Sequence, residues 1–103
     1  MNREMECIRR EMARREMLRL SAEIAQANAD LAEAQRERDR IDKRKAEIRR
    51  RGAPDWMLAR YAAEHHAFEV WINQLHDRIY VLQNEYMDWC IRAEDPAGEA
   101  DEA

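Results

Sequence analysis

Arg51-Gly52-Ala53-Pro54-Asp55 is the stretch that decides the fold. Residues 1–51 contain neither glycine nor proline, and residues 55–95 are free of both again. Glycine accepts the left-handed conformation that ends a helix, and proline follows because it cannot continue one. Pro54 also suits the opening of a second helix, with Asp55 well placed at the positive end of its peptide dipoles. The spacing predicts a first helix over about residues 2–51, a turn at 52–54 and a second helix over about 55–93. At 1.5 Å per residue these are roughly 75 and 58 Å long. The last ten residues, Glu94-Asp95-Pro96-Ala97-Gly98-Glu99-Ala100-Asp101-Glu102-Ala103, read as an acidic disordered tail.

Both long segments carry a seven-residue apolar repeat. Stepping by three and four from Leu58 gives Tyr61, His65, Phe68, Ile72, Leu75, Ile79, Leu82, Tyr86 and Trp89, with His65 the one polar member. The same stepping from Met17 gives Leu20, Ile24, Ala27, Leu31, Ala34, Arg38, Ile41, Lys45 and Ile48. Such a repeat makes a left-handed coiled-coil seam. If the chain folds back at Gly52, position i faces roughly position 106 − i, so small residues oppose large ones. Ala34 then falls near Ile72, Ala27 near Ile79, Leu31 by Leu75, and Met17 by Trp89. Arg38 falls beside Phe68 and Lys45 beside Tyr61, with their stems along the seam and their charges at its edge.

Composition agrees. Ala, Glu, Lys, Leu and Arg make up 55 of the 103 residues, the profile of long helices. Nine β-branched residues, seven Ile and two Val, leave little for a sheet. One serine, Ser21, no threonine and two isolated glycines argue against a hydroxyl-nucleophile enzyme or a phosphate-cradling loop. The expectation is a non-enzymatic protein without a cofactor. No apolar run approaches the length of a membrane span, and the N-terminus lacks a signal-like core, so a cytoplasmic protein is expected. The net charge of −4 hides a division: residues 1–51 hold 15 basic and 11 acidic side chains, residues 52–103 only 3 basic against 11 acidic. Oppositely charged halves favour lying side by side.

Some apolar residues lie off the seam. On the second helix these are Val70, Trp71, Tyr80, Val81, Met87 and Ile91; on the first, Met1, Met5, Ile8 and Met12 form a separate stripe that the pairing rule places beyond the end of its partner. Ala22, Ala25, Ala29 and Ala32 make a further stripe. A two-helix hairpin buries one stripe per helix, set against roughly 1.5 kcal/mol of entropy per ordered residue. The surplus points to a homodimer closing into a four-helix bundle, with Met5, Ile8 and Met12 joining the chains, and to a protein partner on Trp71, Tyr80, Met87 and Ile91.

Polar candidates are few. His65, His66 and His76 have Ala62, Ala63 and Asn73 three residues before them, so no Glu-x-x-His metal pair forms, and no metal is expected. Cys7 and Cys90 lie at different levels of a hairpin, roughly 13 Å apart along the axis, too far for a disulfide. Nine of the sixteen residues from Arg36 to Arg51 are Arg or Lys, and Trp56 follows the turn. Arg44, Arg49, Arg50, Arg51 and Trp56 are therefore candidates for contact with phosphates or with an acidic protein. The bland alternative is a solvated helix end with local ion pairs, since Glu37, Asp39, Asp42 and Glu47 interleave with the bases.

In outline the chain resembles small coiled-coil hairpins such as the stalk proteins of type III and flagellar export ATPases, and compact phage-encoded inhibitors of host complexes. Secreted helical hairpins with Trp-x-Gly at the turn differ, because the turn here reads Gly52-Ala53-Pro54-Asp55-Trp56. The resemblance implies a protein-binding adaptor, stalk or inhibitor of a larger assembly. The alternative is a Rop-like helical bundle that binds nucleic acid through its basic tip.

Overall fold

The computed structural model describes residues 3–94, which are 96% helical. Two helices carry the chain, α1 over Arg3–Arg50 and α2 over Asp55–Glu94, with no strand among the described residues. These limits lie within a residue of those read from the sequence. The acidic segment after Glu94 lies outside the described residues. The chain is an all-α helical hairpin.

The turn is built as its residues require. Gly52 has φ +80°, the left-handed conformation that a side chain disfavours. The Ala53 N–H donates to the Ile48 carbonyl at 3.0 Å and the Gly52 N–H to the Arg49 carbonyl at 3.1 Å. Together these form a Schellman cap, which satisfies carbonyls the helix end would leave unpaired. The Pro54 carbonyl accepts from the N–H groups of Met57 and Leu58, so Pro54 caps α2 from one residue before it.

The chain forms two compact units. One is Ala27–Arg78, the turn and the helix halves leading into and out of it. Its core joins fully buried Ala34 to Ile72 and Leu75, with Leu31 and Phe68 packed against them. This is the small-against-large pairing read from the two stripes. Burying side chains such as Ile72 and Leu75 contributes about 1.5–3 kcal/mol each. Arg38 and Lys45 are half-buried, as seam positions with long stems should be. Arg38 directs its guanidinium to Asp39 at 3.3 Å.

The other unit takes the chain up to Gln26 and from Ile79 onward. Its buried residues are Ala13 and Leu20 from α1 and Ile79 and Leu82 from α2. Trp89 shares a cleft with Met12 and Ala13, about one turn nearer the start of α1 than Met17. Ala13 is buried. Met12 therefore does not lie beyond the end of α2, as the pairing rule had placed it.

Candidate functional site

Tyr80, Met87 and Ile91 occupy positions i, i+7 and i+11 of α2 and so share one stripe of its surface. They are 67%, 59% and 58% exposed. The seam residues Ile79, Leu82 and Tyr86 take the other side of the helix, which leaves this stripe uncovered within the chain. Val81 is likewise exposed. Trp71 belongs to the other unit and differs in kind. Its ring lies 6.2 Å from that of Phe68 at 39°, so the seam already uses part of its surface, and 42% of it is exposed.

On α1, Met5, Ile8 and Met12 form an exposed stripe, and Met12 runs from it into the cleft. That cleft measures ≈ 210 Å³. Met12, Ala13, Trp89 and Ala93 give it an apolar floor, while Glu6, Arg9, Arg10 and Arg92 form its rim. The Arg92 guanidinium sits 4.8 Å from the centre of the Trp89 ring, a cation–π contact that holds both side chains in place. Leu18, 66% exposed, lines an adjoining groove with Met17, Ser21 and Tyr86, which shares Arg10 and Ala93 with the cleft. The sequence reading passed over Leu18 and Ala13. Ala13 continues the seam one step of four before Met17, and Leu18 leads the Ala22, Ala25, Ala29, Ala32 stripe by four, so both were there to be found.

Charge along α1 is partly settled within the helix. Arg14 and Arg15 pair with Glu11, and Arg19 with Glu16 at 2.7 Å and Glu23 at 3.0 Å. A hydrogen bond to Glu16, reinforced by the charges of Glu16 and Glu23, raises the Arg19 pKa above its ordinary value. Arg9, Arg10 and Arg92, at the cleft, have no ion pair among the described residues.

At the basic tip, local pairing claims part of the charge. Glu47 binds both Arg44 at 3.4 Å and Arg51 at 2.8 Å, and Glu37 binds Arg40 at 2.6 Å. A hydrogen bond to Tyr61, then the charge of Glu47, raises the Arg44 pKa. Arg44, one residue before Lys45, thus directs its charged group to Tyr61. Arg49 and Arg50 have no ion pair among the described residues. Trp56 is exposed beside Met57, Arg60, Tyr61 and Glu64.

His65 joins the two helices near the turn. Its Nε2 lies 3.2 Å from the Asp42 carboxylate on α1 and 3.6 Å from Glu69 one turn along α2. No group of three or more metal-ligating side chains comes together among the described residues. Cys7 is exposed and Cys90 half-buried, both as free thiols. No described helix is long and apolar enough to cross a membrane. No family model, curated protein or solved structure matches this chain.

Proposed function

We propose that the chain is a non-enzymatic, protein-binding coiled-coil module, a homodimer that works as an adaptor, stalk or inhibitor within a larger assembly. The observation that carries this reading is the Tyr80, Met87, Ile91 stripe: three large side chains, more than half exposed, aligned on one face of α2. Aromatic and methionine side chains are enriched in the cores of protein interfaces. A second helical pair seated on such a stripe makes a four-helix bundle. Met5, Ile8 and Met12 supply a further apolar strip on α1 for the joined chains.

Analytical ultracentrifugation of the full chain tests the dimer. A dimer at micromolar concentration that becomes monomeric in the Tyr80→Ser, Met87→Ser, Ile91→Ser triple variant is the expected result. A wild-type monomer across that range overturns the dimer.

A second reading rests on Arg49 and Arg50, which have no ion pair among the described residues, and on exposed Trp56 at the start of α2. In this reading the tip of the hairpin grips nucleic-acid phosphates, with Arg44 and Arg51 assisting. Binding to a short duplex should then weaken steeply with salt and be lost on Arg49→Glu, Arg50→Glu reversal. Binding that is absent, or indifferent to both, rejects it.

A further inference from the structure

The cleft between the start of α1 and the end of α2 combines three features. Met12, Ala13, Trp89 and Ala93 give it an apolar lining. Three arginines stand on its rim without a carboxylate partner among the described residues, although Arg14, Arg15 and Arg19, farther along the same helix, each have one. Its volume, ≈ 210 Å³, lies below the range typical of small-molecule sites. A space of that size suits one or two side chains of a larger partner.

We infer that this cleft is a docking site for an acidic peptide segment of a partner protein, one that carries a leucine or phenylalanine anchor between its carboxylates. The inference rests on the protein-binding reading above and gives that reading a partner chemistry. The anchor enters between Met12, Ala13 and Trp89, and the flanking carboxylates take up Arg9 and Arg10. Guanidinium groups match carboxylates in a bidentate geometry, and a pair of them on a rim, without an ion pair among the described residues, favours an anionic partner both in encounter and in register. Arg92 already covers one face of the Trp89 ring, which leaves that face closed to a stacking nucleobase. Glu6 on the same rim also weighs against a continuous phosphate chain.

The test uses the full chain and three labelled hexapeptides in fluorescence anisotropy: Glu-Glu-Leu-Phe-Glu-Glu, the same peptide with Lys for Glu, and Glu-Glu-Gly-Ser-Glu-Glu. The first should bind, and the other two should bind at least about tenfold more weakly. The Arg9→Glu, Arg10→Glu double variant should weaken the first peptide by about tenfold or more, a change of the size expected from reversing rim charges. Both positions are exposed, and circular dichroism checks that helix content is kept. Trp89→Ala should also weaken binding of the first peptide, through loss of the anchor's floor. Equal binding of the lysine peptide, or no effect of the arginine reversal, overturns the inference. So does displacement of the acidic peptide by oligothymidylate at lower concentration. A further full-length variant, Asp95→Asn, Glu99→Gln, Asp101→Asn, Glu102→Gln, guards against self-occupancy. A gain of about tenfold or more in peptide affinity there would assign the cleft to the chain's own acidic C-terminal residues and overturn the partner assignment. Sedimentation of the same samples separates the two readings: dimers without peptide binding remove the cleft proposal and leave the module.

Discussion

His65 on α2 places its Nε2 3.2 Å from the carboxylate of Asp42 on α1, which makes a polar tie between the helices at the one polar member of the α2 repeat. The contact is an ion pair only when the imidazole carries its second proton. Arg38 and Lys45 flank Asp42 on α1, and Glu69 and Glu64 flank His65 on α2, so charges of both signs surround it. A double-mutant cycle with His65→Ala and Asp42→Ala should give a coupling of about 0.2–1 kcal/mol, the range of partly exposed pairs. Urea unfolding of the four proteins checks this; a coupling indistinguishable from zero counts against the contact.

Gly52 meets nothing within 4 Å at the position a Cβ would occupy, so space does not demand glycine there. Its φ of +80° does. Gly52→Ala should cost about 1–2 kcal/mol through backbone conformation alone. Gly52→Asn should cost less, because asparagine tolerates the left-handed region. Thermal unfolding of the three proteins gives the order.

Ala34 is fully buried against Ile72 and Leu75, whereas Ala22 is exposed on the same helix. Ala34→Leu should overfill the seam and destabilise by about 1–3 kcal/mol. Ala22→Leu should stay within about 0.5 kcal/mol, as a surface change with nearly equal helix propensity. If Ala22→Leu proved as costly as Ala34→Leu, that outer face would be buried in the assembly.

The exposed aromatic residues of α2 are of two kinds. Trp71 spends part of its surface on Phe68, while Tyr80 stands largely free. In the proposed dimer, Tyr80→Ser should therefore raise the dissociation constant by roughly tenfold with little change in helix content. Trp71→Ser should lower the stability of the hairpin as well. Sedimentation and thermal unfolding, read side by side, separate the two effects.

The helices, their limits and the seam of unit Ala27–Arg78 were legible because each rests on strong local signals. Gly52 and Pro54 punctuate an otherwise unbroken helical pattern, and Ala34 against Ile72 follows from matching two seven-residue repeats. The level of Met12 was harder to read. Pairing by residue number treats side chains as points, whereas Met12 and Trp89 are long enough to line one cleft from different levels. The cleft was also hidden. It depends on Arg92, near the end of α2, meeting residues 80 or more positions earlier in the chain, and neither segment carries a motif of its own. The charge run from Arg36 to Arg51 looked like a single basic patch in sequence. The i, i+3 and i, i+4 pairs formed by Glu37 and Glu47 divide it.

In the seam, α1 contributes buried Ala13, Leu20, Ala27, Ala34 and Ile48, while α2 contributes Ile72, Leu75, Ile79 and Leu82. Most of the sticky mass therefore belongs to the half that leaves the ribosome second. The first half emerges richer in arginine and with fewer large apolar side chains than its complement. A circular permutant that reversed this order of synthesis would expose the heavier half first and should be the more prone to aggregate during expression.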